Sequence, residues 1–199
     1  MTTEPTIETY DRVAARYAER WQDRSVLETA TERFCASLSA GDLVLDAGCG
    51  PGFDAAILRR HDLRVVGLDR SWGMLQVGRE QFPGWFVQAD MRHLPLRAGF
   101  RGVWANASLL HLHRADLVPA LRGFRRLLLP DGMLFAAVKA GEGSEWQSSA
   151  YGSRAPRYFT YWRAEAFDAA LGQAGFQIEQ RWQDAGEDVT WLNRLARPS

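Results

Sequence analysis

Val44-Leu45-Asp46-Ala47-Gly48-Cys49-Gly50-Pro51-Gly52 decides how this chain is organised. Apolar residues run into an acid, three glycines fall at alternate positions, and Phe53-Asp54-Ala55-Ala56-Ile57-Leu58 continues with helical character. The pattern predicts a buried strand that ends in a tight turn, where missing side chains let a ligand lie against bare backbone. The first N–H groups of the following helix point into the same space. By itself such a turn is also compatible with no ligand, or with a cradled pyrophosphate.

Outward from this stretch, strand and helix alternate. Strands are predicted at 43–46, 64–68, 85–88, 102–106 and 133–138, and helices at 53–61, 72–82, 116–128 and 163–174. In the helix after Asp116, residues Leu117, Leu121, Phe124 and Leu128 share a face; Pro130 and Gly132 are read as its end, and Pro119 as a first-turn residue. Alternation of this kind argues for a parallel sheet covered by helices on both faces. The tail breaks it: 176–183 and 190–196 are both strand-like, separated by the polar turn Asp184-Ala185-Gly186-Glu187-Asp188. Two strands joined this tightly pair antiparallel.

Before the first strand, Tyr10, Val13, Ala14, Tyr17 and Trp21 recur at helical spacing. A second helix is predicted from Ser25, with Glu28 completing a capping box, an apolar stripe of Leu27, Ala30, Phe34 and Leu38, and Gly41 as its stop. Added helices of this kind cover a ligand or a sheet edge.

The 199 residues, 46% of them apolar, suffice for one buried core, so a single domain over 1–199 is expected. Within it, 1–40 form a helical cap, 41–140 a ligand-binding core, 141–162 an insert, and 163–199 a final helix and hairpin. Basic and acidic residues balance at 24 each, which argues against nucleic acid or anionic lipid as partner. No apolar run approaches a membrane span. Met1 to Tyr10 is polar and mildly acidic, unlike a secretory signal. The two cysteines, Cys35 and Cys49, show no metal-type spacing, so reduced thiols in a cytoplasmic protein are expected. Oligomeric state is left open.

The segment from Leu45 to Gly52 resembles the glycine-rich first motif of class I S-adenosylmethionine-dependent methyltransferases, and the resemblance extends by pattern from Tyr10 to Arg197. It implies a Rossmann-like seven-stranded α/β fold, mostly parallel, with a C-terminal antiparallel hairpin, helices on both faces and an N-terminal helical cap. A dinucleotide-binding dehydrogenase generally lacks that hairpin. The cofactor implied is S-adenosyl-L-methionine, and the acceptor a small molecule.

Each part of that cofactor finds a counterpart. Gly48, Cys49, Gly50 and Gly52 would bring backbone to the head group and ribose, and Asp46 would oppose the ammonium, directly or through water. Asp69 ends the second strand, where a carboxylate can take both ribose hydroxyls; alternatively it caps the helix begun by Ser71. By resemblance Asp90 accepts from the adenine amine beside Met91, although an aspartate is also common in turns. Arg70, Met74 and Asn106 belong to the same implied cofactor set. Tyr10-Asp11-Arg12-Val13-Ala14-Ala15-Arg16-Tyr17 resembles the opening of small-molecule methyltransferases, which implies Tyr17 over the cofactor and Tyr10 toward the acceptor. Ala105-Asn106-Ala107-Ser108 lacks the paired prolines of DNA adenine amino-methyltransferases, which counts against a nucleobase substrate.

Methyl transfer from a sulfonium needs alignment and exclusion of water more than acid–base groups. His111, just past the fourth strand, is the candidate catalytic base; orienting a loop is the alternative. In the insert, Arg157 is suited to a carboxylate or phosphate on the substrate, with Tyr158 and Tyr161 beside it; equally, these aromatics can fill the core. No spacing suggests a metal site. Two other functions stay open: a non-catalytic binder of S-adenosylmethionine or its demethylated product, and an NAD-dependent oxidoreductase. Against the latter, the third glycine falls one place early, with Asp54 rather than a glycine beyond it.

Overall fold

In the computed structural model, residues 4–186 and 189–199 are described. Helices α1 (Glu4–Arg20) and α2 (Glu28–Cys35) lead into β1 (Leu43–Ala47), α3 (Phe53–Arg60), β2 (Arg64–Asp69), α4 (Trp72–Gln81) and β3 (Trp85–Gln88). There follow β4 (Phe100–Asn106), α5 (Arg114–Leu127) and β5 (Leu128–Lys139). A hairpin of β6 (Ser144–Ala150) and β7 (Ser153–Thr160) precedes α6 (Ala164–Gln173), β8 (Phe176–Ala185) and β9 (Thr190–Pro198).

Seven strands form one sheet in the order β3-β2-β1-β4-β5-β9-β8. β1 to β5 run parallel, whereas β9 lies antiparallel to both β5 and β8. The central strands are near-continuous apolar runs because both of their faces are covered. Successive residues point to opposite faces. Leu45, Val103 and Leu134 meet Leu117, Leu121, Phe124 and Phe167 of α5 and α6. Their neighbours Val44, Trp104 and Phe135 meet Phe34 of α2 and Leu58 of α3. Trp104 is wedged there, its ring 5.2 Å from that of Phe34 and 4.1 Å from that of Phe135.

Strand order reverses between β1 and β4, and this is where an open α/β sheet leaves a crevice at its carboxyl ends. The turn after β1 is anchored there. The N–H groups of Gly48 and Cys49 both donate to the Leu68 carbonyl, at 2.7 and 3.0 Å. Ser108, just beyond β4, donates from its hydroxyl to the Ala47 carbonyl at 2.6 Å. Ser108 crosses so close that a Cβ on Gly48 would stand 2.3 Å from its own Cβ.

α1 lies across this end of the sheet. On one side Asp11 accepts from the Ser71 hydroxyl (2.7 Å) and the Gly73 N–H (2.9 Å), bracing the start of α4. On the other, Thr9 donates to the Pro156 carbonyl (2.9 Å), and the Thr6 hydroxyl accepts from the Tyr158 N–H (3.0 Å). The N-terminal helix is therefore sewn to both walls of the crevice.

Several local expectations are corrected. The Ser25–Glu28 capping box does not form: Asp23 takes the Ser25 N–H at 2.9 Å, Ser25–Leu27 make a 3-10 turn, and α2 starts at Glu28 with no side-chain cap. Gly41 does not stop α2, which ends at Cys35; at φ +84° Gly41 instead turns the chain into β1, donating to the Asp62 carbonyl. Pro119 sits in the second turn of α5 because that helix begins at Arg114. Pro130 and Gly132 do not end it either, since strand pairing already starts at Leu128, opposite Phe100. The insert, for which no element was predicted, holds a two-stranded antiparallel hairpin. Of the polar turn before β9, Glu187 and Asp188 lie outside the described residues.

Gly48 is the position where substitution tests this packing. Gly48→Ala forces a left-handed non-glycine residue (φ +80°) and drives its Cβ into Ser108. We expect a loss of about 2–4 kcal/mol in urea unfolding, combining backbone strain with overpacking. Gly143→Ala, at φ +72° with nothing within 4 Å, should lose about 1–2 kcal/mol from strain alone. Equal losses would remove the crossing as the cause.

Candidate active site

A pocket of ≈ 730 Å³, counting its open mouth, fills the crevice at the carboxyl ends of β1, β2 and β4. The glycine turn supplies one wall through Gly48 and Gly50; Asp69 and Arg70 follow from β2, and Met74 from α4. Asp90 and Met91 come from the loop after β3, Tyr10 and Tyr17 from α1, and His111 from the turn beyond β4. Ten predicted site residues thus meet around one space. Thr6 and Ile7 of α1, Arg92, Ala107 and Ser108 also line it.

Asp69 is a brace as well as a pocket wall. One of its oxygens accepts from the Gly50 N–H and the other from the Ser71 N–H, each at 2.8 Å. Burial pushes its pKa up, against those N–H groups. A carboxylate oxygen has two acceptor sites, so each keeps one for a ligand. Helix capping and ligand binding therefore do not compete: Ser71 itself is the N-cap of α4, its hydroxyl accepting from the Met74 N–H at 3.2 Å.

Asp90 is gripped by a residue that the sequence did not single out. The Arg92 guanidinium reaches both of its oxygens, at 2.6 to 3.1 Å, and the Arg92 N–H adds a bond of 2.9 Å. Burial alone would raise Asp90, but these hydrogen bonds outweigh it and hold the carboxyl below the usual range. Arg70 approaches the same carboxylate at 3.4 Å.

Four predicted cofactor residues stand behind the pocket wall. Asp46 is 2% exposed, and its Oδ2 has no hydrogen-bond partner among the described residues. Burial, then the nearby Asp54, pushes its pKa well above the carboxylate range, while the Arg24 charge opposes the rise. Cys49 packs into the space left by Gly67, and burial raises its thiol, which makes it unreactive. At Gly52 a Cβ would strike the Phe86 ring at 2.8 Å, so this glycine serves packing. The Asn106 side chain turns away to donate to Asp54 at 2.9 Å.

Asp54 is the hidden hub of this back wall. It also accepts from the Trp104 indole (2.9 Å) and from Arg24, at 2.6 and 2.7 Å. One carboxylate in the first turn of α3 thereby ties the α1–α2 connection to β4 beneath the glycine turn. The sequence signal was an acid two positions after the third glycine.

His111 is fixed at both ring nitrogens. Nδ1 lies 2.7 Å from the Tyr158 carbonyl, which can only accept, so Nδ1 carries the proton. Nε2 then accepts from the Tyr10 hydroxyl at 2.8 Å. Burial pushes the imidazole pKa down to about 4, with the charges of Arg157 and Lys139 adding to the fall. Burial likewise raises the Tyr10 and Tyr17 hydroxyls. Of the other histidines, His61 and His93 are exposed, and His113 packs 4.5 Å from the Tyr158 ring. Arg157, Tyr158 and Tyr161 sit on or beside the β6–β7 hairpin and do not line this pocket. Among the described residues no group of His, Cys, Asp and Glu is placed to hold a metal, and no helix is long and apolar enough to cross a membrane.

Known proteins share this sequence pattern. The model of the family described as "Methyltransferase domain" matches residues 44–132, from β1 to the start of β5. Trans-aconitate 2-methyltransferase of Azoarcus sp. is 32% identical over 203 residues, covering 86% of this chain and 78% of that protein. Malonyl-[acyl-carrier protein] O-methyltransferase of Enterobacter lignolyticus is 33% identical over 135 residues, and there the match spans only 52% of the relative's length. In fold, the chain superposes on 1,6-didemethyltoxoflavin-N1-methyltransferase of Burkholderia thailandensis with a TM-score of 0.76. That structure is 22% identical, with 97% of this chain and 88% of the other covered, and it holds 1,6-didemethyltoxoflavin and S-adenosylhomocysteine. The bare glycine turn, the acids after β2 and β3, and the antiparallel β8–β9 pair agree with that match, and this chain belongs to the class I S-adenosylmethionine-dependent methyltransferases.

Proposed function

We propose that this chain moves the methyl group of S-adenosylmethionine to a small-molecule acceptor, as one cytoplasmic domain without nucleic-acid or membrane partners. The observation that carries this reading is one pocket in which the bare turn at Gly48 and Gly50 meets Asp69 and Asp90. When bound, the cofactor supplies a methyl carbon made electrophilic by a sulfonium. The chain's residues fit its parts. Asp69 keeps an acceptor site on each oxygen for the ribose hydroxyls. Asp90 shares its carboxylate between Arg92 and the adenine amine, with Met91 and Met74 against the base. Asp46, buried behind the turn with one oxygen unpartnered among the described residues, would oppose the ammonium, directly or through water. Arg70 and Tyr17 close the sides, while Cys49, Gly52 and Asn106 act by shaping the wall. Small molecules named in the relatives' own descriptions, trans-aconitate and 1,6-didemethyltoxoflavin, support an acceptor of that size. The balanced charge supports the absence of a nucleic-acid partner.

We assign His111 a positioning role. Its one lone pair is spent on Tyr10, so a proton leaving the acceptor reaches the imidazole only by way of the Tyr10 hydroxyl. Tyr10 and His111 together make an uncharged, fixed wall next to the cationic Arg157. Alignment and dehydration then do the chemical work.

Two measurements test these assignments. Calorimetric titration should show binding of S-adenosylmethionine and S-adenosylhomocysteine but not of NAD. Asp69→Ala should weaken that binding tenfold or more, through loss of about 1.5–3 kcal/mol of hydrogen bonding; unchanged affinity would remove Asp69 from the ribose. His111 should stay neutral, by NMR, well below its ordinary pKa of 6.5, with a midpoint near 4. Since the folded ring binds its proton more weakly than the unfolded one, stability rises with pH between those two values. The contribution is complete above the upper value and is lost as pH falls toward the lower. A His111 midpoint at 6 or higher would contradict the buried, doubly bonded geometry.

A further inference from the structure

Beyond Tyr10 and His111, away from the glycine turn, two cations share one aromatic ring. Lys139, at the carboxyl end of β5, holds its ammonium 4.1 Å from the centre of the Phe159 ring. The Arg157 guanidinium stands 5.1 Å from the same centre and 5.3 Å from that of Tyr151. Arg157 and Phe159 project from the same face of β7, and Gln147 is the cross-strand neighbour of Arg157. The cations feel each other: burial lowers the Lys139 pKa, and the Arg157 charge lowers it further.

Neither cation has a carboxylate within salt-bridge distance among the described residues. Among the described residues Arg157 touches neutral partners alone: Gln147 and the Tyr151 hydroxyl, each at 3.4 Å, and the Tyr10 hydroxyl; its Nε is buried without a partner. Glu145 is the one acid whose charge reaches Lys139, and its carboxylate is engaged by the Tyr161 hydroxyl at 2.6 Å and by Gln147 at 3.2 Å. Arg24, Arg92 and Arg194 are paired with Asp54, Asp90 and Asp168, whereas Arg59 and Arg125 rest on main-chain carbonyls; among the described residues neither of those two has a second cation over the same ring. Holding two like charges together without a counter-ion is unfavourable unless a ligand supplies one. This place adjoins the cofactor pocket through His111, whose ring lies 4.8 Å from Phe159 and 5.3 Å from Tyr10.

Resting on the methyltransferase reading above, we propose that Arg157 and Lys139 receive a carboxylate of the methyl acceptor, so that the acceptor is a carboxylic acid anchored against Phe159 with its reacting end toward Tyr10 and His111. The fork of Arg157 matches the planar two-oxygen edge of a carboxylate, and the ammonium adds a point charge. The aromatic rings of Phe159 and Tyr151 give the acid's carbon skeleton an apolar wall.

Lys139 is the only lysine in the chain, so in lysine-labelled protein its side-chain NMR signal needs no assignment. The protein, saturated with S-adenosylhomocysteine, is titrated with benzoate, glutarate, inorganic phosphate and the neutral control benzamide. Benzoate or glutarate should shift the Lys139 signal saturably and raise its pKa, benzamide should leave it unmoved, and Arg157→Gln should weaken the carboxylate at least tenfold. No response to either carboxylate, tighter binding of phosphate than of both, or undiminished affinity in Arg157→Gln would each overturn the proposal. A thermal melt checks that the variant folds; should it not, the wild-type titration decides alone. If S-adenosylhomocysteine gives no binding heat while carboxylates still move Lys139, it is the methyltransferase reading that fails, and the anion site stands.

Discussion

The fold depends on how closely the chain after β4 passes over the turn after β1. Ser108 comes so near Gly48 that no side chain fits between them, and its hydroxyl is spent on the Ala47 carbonyl. The same turn holds the Leu68 carbonyl with two N–H groups. Three strand ends are locked at one point by main-chain geometry. Bare backbone there serves architecture first, and the pocket at the switch in strand order follows from it.

Around that point, polar groups divide into a back wall and a front wall. Behind the turn, Asp54 gathers Arg24, Trp104 and Asn106, and burial, reinforced by Asp54, drives the Asp46 pKa upward. In front, Asp69 and Asp90 face the pocket with their braces already in place. Preorganised acceptors cost less to engage than mobile ones. α1 closes the space from above by two sets of hydrogen bonds, one to α4 and one to β7, so that the cofactor wall and the hairpin wall share a roof.

Much of this was legible in the sequence. The parallel alternation and the antiparallel β8–β9 pair followed from local periodicity and turn chemistry, whereas the seven-stranded form was implied by the family resemblance. Asp69, Asp90 and His111 line one pocket because they stand at or just past strand ends, while Tyr17, named by resemblance, reaches it from α1. What escaped was set by competing partners, one of them local and the others distant in sequence. Asp23 captured the Ser25 N–H and cancelled a capping box that local pattern favoured. Asn106 was diverted from the pocket by Asp54, some fifty residues away. The Arg157–Lys139 pair joins a hairpin to a sheet strand, and no spacing rule announces it. The insert was rich in aromatics and glycine, and its hairpin register became visible only once both strands were in place.

The account rests on one claim: the bare turn, Asp69 and Asp90 together form the seat of a sulfonium nucleoside. A crystal structure of the protein with S-adenosylhomocysteine tests it most directly. The ribose hydroxyls should lie within hydrogen-bond distance, about 2.5–3.0 Å, of the Asp69 carboxylate, with adenine beside Asp90 and Met91 and the sulfur facing Tyr10 and His111. A ligand bound elsewhere, or a crevice into which only a pyrophosphate will settle, would contradict the account.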